Sequence, residues 1–300
     1  MKALVISGGG SKGAFAGGVA QYLLENEKNN YDIFIGTSTG SLLVCHLALN
    51  KIEAIKKIYT SVNQNSIFSR NPFKIKNKDG IDIISINHFN VLINFLRGSK
   101  TFGESYNLKK LIRKTISKAD FLELKNSDKT VIVTVTNLSR SEVEYKAIAD
   151  FDYYEFCDWI WISCNYLPFM SLVIKDNCEY GDGGFTSLVP IREAINRGAT
   201  EVDVVILETE VYISPKLTGK NPFALLINLF GALLDQVKKN DIAIGKLASL
   251  NKNVKLNFYY TPAQLTANAL VFNKENMIKW WHEGFEFAKN KSEIMSDNKQ

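Results

Sequence analysis

The sequence predicts an α/β fold, and three features of its 300 residues point there. Residues 2–7 form a short apolar run that breaks into Gly8-Gly9-Gly10-Ser11-Lys12-Gly13 and then a helical pattern over 14–25. Residues 32–35 form a second apolar run, which passes through Gly36-Thr37-Ser38-Thr39-Gly40 into a helical pattern over 41–49. Short apolar or β-branched runs then keep alternating with helical segments, with no repeat, low-complexity linker or composition break. Two strands joined by a helix make a βαβ unit, so the first two strands are expected to be parallel and buried on both faces. Strands alternating with helices argue for one layered α/β domain over residues 1–300.

The remaining elements follow from periodicity. Residues 108–116 have helical spacing, 130–136 are β-branched, and 142–148 alternate like a half-exposed strand. Residues 202–207 read as another buried strand and 255–260 as one more. Helices are expected within 224–250 and over 275–289, with a polar tail from Asn290 expected to fray. Residues 63–100 read as an excursion from the core. That excursion pairs an apolar segment, 91–96, with Lys74, Lys76, Lys78, Arg97 and Lys100. It is expected to serve as a lid or as a peripheral contact with an anionic membrane.

Composition narrows the functional classes. Hydrophobic residues make up 46% and charged residues 22%, an ordinary globular balance. The net charge of +5 suits attraction to an anionic lipid surface, but no basic run is dense enough for a nucleic-acid partner. Cys45, Cys157, Cys164 and Cys178 include no Cys-x-x-Cys pair, so they read as thiols in a reducing, cytoplasmic compartment. The apolar start is too short for a signal peptide, and the longest apolar stretch, 223–234, is too short to span a bilayer.

Gly36-Thr37-Ser38-Thr39-Gly40 carries the chemistry. A Gly-x-Ser-x-Gly at a strand-to-helix turn is a nucleophile elbow that raises a serine hydroxyl in a strained backbone conformation. A serine nucleophile needs a base for its proton and donors for the oxyanion. Three histidines are available: His46 in the helix after the elbow, His282 in a tryptophan-rich helix, and His88 in a loop-like setting. None carries a local signature of a base. Asp182, in Gly181-Asp182-Gly183-Gly184, places a carboxylate on a tight glycine turn and is the better candidate. The amide groups near Gly9 and Gly10, after a strand and before a helix, suit an anion.

Taken in order, these three motifs resemble those of the patatin-like phospholipases. The resemblance extends to Val189-Pro190, Ala194, Gly198-Ala199, Trp280, Gly284 and Ala288. It implies a three-layer α/β/α fold with a mostly parallel central sheet. It implies a Ser-Asp dyad of Ser38 and Asp182 and an oxyanion loop of Gly8, Gly9, Gly10, Lys12 and Gly13. Gly36, Gly40, Gly183 and Gly184 would be motif glycines. The implied reaction is hydrolysis of a phospholipid or lysophospholipid ester through an acyl-enzyme, with no metal or cofactor. The chain departs from the family pattern at Ser163-Cys164, where Ala-Ser is usual, and at Leu188, where Asn is usual.

Two other readings compete. Gly8-x-Gly10-x-x-Gly13 with Asp32 matches a dinucleotide fingerprint, although Asp32 precedes the apolar core of its strand rather than ending it. A catalytically silent lipid- or partner-binding module would place the aromatic cluster at 151–169 (Tyr153, Tyr154, Trp159, Trp161, Tyr166) on a membrane interface. Packing in the core and along a pocket wall is the plainer expectation for those rings.

Overall fold

The computed structural model describes residues 1–78, 81–210, 222–266 and 268–297. The chain opens with β1 (Lys2–Ile6), α1 (Gly13–Glu25), β2 (Ile33–Thr37), α2 (Thr39–Ala48), α3 (Ile52–Tyr59) and α4 (Gln64–Ile67). A hairpin, β3 (Phe73–Lys78) and β4 (Ile81–Ile86), leads to α5 (His88–Leu96), α6 (Tyr106–Thr115) and α7 (Lys118–Lys125). Then come β5 (Thr130–Asn137), β6 (Glu142–Ala147), α8 (Tyr153–Ser163), β7 (Val173–Lys175), β8 (Cys178–Asp182) and α9 (Ile191–Asn196). The last elements are β9 (Glu201–Ile206), α10 (Pro222–Lys252), β10 (Lys255–Tyr260) and α11 (Lys274–Asp297).

Among the described residues the main sheet has eight strands and is mostly parallel: β10, β9, β1, β2 and β5 run the same way, β6 and β8 each pair antiparallel with β5, and β7 pairs antiparallel with β8 and so runs with the parallel set. Its strands alternate between two cores, as a period of two requires. Leu4, Ile6, Phe34 and Val133 face α1, α2, α8 and α11 on one side. Ala3, Val5, Ile33, Ile35, Val202 and Val204 face α9 and α10 on the other. The result is a three-layer α/β/α fold. Among the described residues no helix is long and apolar enough to cross a membrane.

One detail of strand pairing positions the chemistry. β6 covers one edge of β5 over Ile132 to Asn137. β2 and β8 must therefore share the opposite edge, end to end. β2 takes Thr130 to Thr134 and β8 takes Val135 to Asn137. Thr37 is level with Thr134, and Asp182 with Val135. The residue after Thr37 is thus brought against Asp182, although 144 positions separate them in sequence.

One sequence expectation is revised. α11 continues helical to Asp297, past the Asn290 boundary where fraying was expected. Its polar residues find partners there: Lys291 donates to the Phe258 carbonyl and Ser292 to Glu27. Residues 298–300 of that tail lie outside the described residues. The aromatic cluster at 151–169 belongs largely to the interior: Trp159, Trp161 and Phe169 are buried, and only Tyr154 is strongly exposed. The 63–100 segment contributes no strand to the main sheet. Its hairpin forms a separate two-stranded sheet.

Candidate active site

The elbow forms as the sequence implies. Ser38 joins β2 to α2 with φ 53° and ψ −118°, a left-handed value that a non-glycine residue adopts only under constraint. The glycines on either side make the turn possible. A Cβ on Gly36 would lie 2.3 Å from the Gly40 carbonyl carbon, and one on Gly40 would lie 2.3 Å from the Ile6 carbonyl oxygen.

α8 braces this turn from below. The Ser38 N–H donates to Ser163 Oγ at 2.9 Å. Ser163 Oγ also lies 2.8 Å from Ser41 Oγ, whose hydroxyl donates to the Gly36 carbonyl at 2.8 Å. Cys164 Sγ contacts the Ser38 carbonyl oxygen at 3.1 Å. Two of the three residues that depart from the family pattern thus help hold the turn at Ser38. In the sequence they stand out only as departures, because nothing local links them to Ser38.

Asp182 ends β8 and presents its carboxylate to Ser38. Ser38 Oγ donates to Asp182 Oδ2 at 2.6 Å, and the Gly184 N–H donates to Oδ1 at 2.8 Å. The aspartate backbone is also held, since its N–H donates to the Asn165 carbonyl at 2.9 Å and its carbonyl accepts from Thr136 Oγ1 at 2.7 Å. Gly183 opens the short 3₁₀ turn, Gly183–Phe185, that aims the Gly184 amide back at the carboxylate. Burial pushes the Asp182 carboxyl up to about 7, against the two hydrogen bonds that favour its charge.

The glycine loop divides into spent and available donors. Gly8 N–H donates to the Leu188 carbonyl at 3.3 Å, and Lys12 N–H to Gly9 at 3.2 Å. Gly13 N–H returns to Gly10 and Ser11. Gly9 and Gly10 N–H have no acceptor among the described residues. Gly10 sits at φ +57°, and a Cβ there would lie 2.2 Å from the Ala269 carbonyl oxygen. The Lys12 ammonium pairs with Glu208. Of the five loop residues singled out by sequence, two therefore keep amides free for a ligand, and three hold the loop in shape.

Ser38, Asp182, Gly9 and Gly10 all face one cavity of about 510 Å³. That volume falls in the range of small-molecule sites. Its walls are mainly apolar, with Ile67, Phe73, Leu108, Phe169, Met170 and Ile227 among them. Leu188, in place of the usual Asn, packs its side chain beside Gly8 and Gly184 at the base of this cavity. None of the three histidines lines it. His46 is buried with Nε2 3.2 Å from the Thr115 carbonyl, while His88 and His282 are exposed on α5 and α11.

The dinucleotide reading fails on geometry. Asp32 lies at the opposite end of β2 from the glycine loop, where its Oδ2 accepts the Lys2 N–H at 2.7 Å. A ribose-binding acid belongs at the C-terminal end of that strand.

The family model described as patatin-like phospholipase matches residues 4–195, a span that includes all three motifs. The chain belongs to the patatin-like phospholipase family. Membership places it among lipid acyl hydrolases, and its three-layer fold accords with that of the patatin-like phospholipases. Among solved structures, the crystal structure of VipD from Legionella pneumophila aligns with a TM-score of 0.49 and 15% identity, over 96% of this chain and 67% of that chain. No curated protein matches the sequence.

Proposed function

We propose that this patatin-like phospholipase hydrolyses carboxylic esters of lipids through a Ser38–Asp182 dyad and an acyl-enzyme. The observation that carries the reading is the 2.6 Å hydrogen bond from Ser38 Oγ to Asp182 Oδ2 at the base of an apolar cavity. A carboxylate held up to about 7 is basic enough to accept a hydroxyl proton near neutral pH. An ordinary carboxylate, near 3.9, is not.

The steps follow from the positions. The acyl chain lies along the apolar wall with its ester carbonyl over Ser38. Ser38 Oγ attacks the carbonyl carbon as its proton passes to Asp182. The oxyanion accepts hydrogen bonds from the Gly9 and Gly10 amides, which lead into the N-terminus of α1 and share its positive end. The tetrahedral intermediate collapses, Asp182 returns the proton to the leaving alcohol, and the acyl group remains on Ser38. Water, deprotonated by Asp182, then attacks the acyl-enzyme; collapse releases the fatty acid as Asp182 returns the proton to Ser38 Oγ.

Mass spectrometry of protein treated with a fluorophosphonate tests the nucleophile directly. A single adduct on Ser38, lost in Ser38→Ala together with hydrolysis of a short p-nitrophenyl ester, is expected. Labelling elsewhere, with turnover intact in a folded Ser38→Ala protein, would overturn the assignment.

A further inference from the structure

α5 is built inside out. A helix on a water-soluble protein normally turns apolar residues inward and polar residues outward. In α5 the buried residue is Asn94, which is fully enclosed. Its side chain accepts from Arg70 and donates to the Thr101 carbonyl at 3.4 Å. The large apolar residues face outward instead: Phe89 is 69% exposed, Leu92 56%, Phe95 47% and Leu96 78%. At 100° per residue, Phe89, Leu92 and Leu96 form one stripe with Phe95 at its edge.

Exposed cations accompany this stripe, Arg97 directly after Leu96 and two more on the hairpin that leads into α5. Lys74 and Lys76 on β3 and Arg97 at the end of α5 are exposed, and they have no ion-pair partner among the described residues. Lys100 is engaged by Glu179 at 2.9 Å, and the side chain of Lys78 lies outside the described residues. An apolar helix face ending in one unpaired cation, on a segment that exposes two more, is complementary to a bilayer with anionic headgroups.

The stripe also connects with the cavity. Phe95 packs on Phe102 (centroids 6.0 Å apart) and Phe102 on Phe169 (5.8 Å), which lines the cavity. Phe169 in turn meets Phe230 of α10 at 6.5 Å, beside a second exposed apolar stripe, Leu225, Leu229 and Leu233. A continuous aromatic row thus runs from the exposed helix past the cavity wall.

We propose that the outer face of α5, with Lys74, Lys76 and Arg97, docks the enzyme on an anionic bilayer and sets the cavity beside its lipid substrate. The proposal rests on the lipid ester hydrolase reading, so its test separates binding from chemistry. Purified protein is co-sedimented with vesicles of phosphatidylglycerol and phosphatidylcholine in equal parts, and with vesicles of phosphatidylcholine alone. Hydrolysis of a soluble short-chain ester is measured alongside.

Replacing both Leu92→Ser and Leu96→Ser should weaken partition to mixed vesicles by about tenfold or more. Replacing Lys74, Lys76 and Arg97 with Gln should weaken it by about fivefold per charge, an effect absent on phosphatidylcholine alone. Neither set should change hydrolysis of the soluble ester. Ser38→Ala should lose hydrolysis and keep vesicle binding, so a failed chemical reading would leave the docking result standing. Vesicle binding unchanged in both variants, or absent in the wild type, would overturn the proposal. A dimer that disappears in the Leu92→Ser, Leu96→Ser protein would assign the face to a second copy and also overturn it.

Discussion

Asp241, midway along α10, accepts the Val189 N–H on its Oδ2 at 2.9 Å. Through this contact a surface helix holds the loop that holds the glycine turn. The neighbouring Leu188 carbonyl accepts the Gly8 N–H, and the Ser187 carbonyl accepts from Thr37 Oγ1 at 3.1 Å, one residue before Ser38. Asp241 touches neither substrate nor Ser38, so it is a positioning residue. Asp241→Ala should lower kcat for a soluble ester about ten- to a hundredfold, the scale of a misplacement near 1 Å, with KM little changed. An unchanged kcat in the folded variant would show that the loop holds its place without this carboxylate.

The pH dependence follows from Asp182. Its folded carboxyl titrates at about 7, against an ordinary value of 3.8. As the proposed base it must be ionised, so kcat/KM should climb with pH and level off above about 7. Asp241, lifted to about 6 by burial, adds to the acid limb.

Stability should move the opposite way. Between about 4 and 7 the folded state keeps a proton on Asp182 that the unfolded chain has released, so stability falls as pH rises through that window. Asp182→Asn cannot ionise. It should match the wild type in stability near pH 4 and exceed it above pH 7, by an unfolding free energy on the order of a few kcal/mol that appears as a raised Tm. Equal Tm differences at both ends would contradict a buried, raised carboxyl.

Ser163 tests the elbow brace. It is fully buried and accepts the Ser38 amide. Ser163→Ala leaves that N–H without its acceptor, a loss of about 1–3 kcal/mol in stability. Denaturant melts should register it, and kcat should fall with it because the strained turn loses its anchor. A melt and a kcat identical to wild type would mean that the elbow is held by α2 and its glycines alone.

Gly9 tests the oxyanion donors. A Cβ at Gly9 would lie 2.7 Å from Leu207 Cβ, so Gly9→Ala must shift the loop. Displacing one donor should cut kcat by about a hundred- to a thousandfold with little effect on KM. A raised KM with kcat intact would make the loop a substrate-binding element.

Much of this architecture was legible in the sequence because it is local. β1, β2, β5, β9 and β10 announce themselves as short apolar or alternating runs, and the elbow and Asp182 turn carry their own glycines. Other parts depend on partners distant in the chain. β7 has three residues, too few for a pattern, yet its pairing with β8 completes the edge that delivers Asp182. α10 is one helix of 31 residues, although Asn228 and Gly231 interrupt its apolar pattern. Gly231 sits where a Cβ would meet nothing within 4 Å, so packing neither requires nor forbids a side chain there. Ser163, Leu188 and Asp241 act through contacts formed only once α8, the loop after Gly184 and α10 are assembled around the elbow. The inverted face of α5 was partly visible as apolar residues beside cations, but its direction was not. Asn94 could be placed inside only after Arg70 and Thr101 were found around it.

The most direct test of the dyad is the kcat of Asp182→Asn on a soluble short-chain ester. The substitution keeps the size of the side chain and removes its basicity, and Tm can verify the fold. The dyad reading expects kcat to fall by about ten-thousandfold. A folded Asp182→Asn enzyme with wild-type kcat would show that another group takes the Ser38 proton and would contradict the central claim.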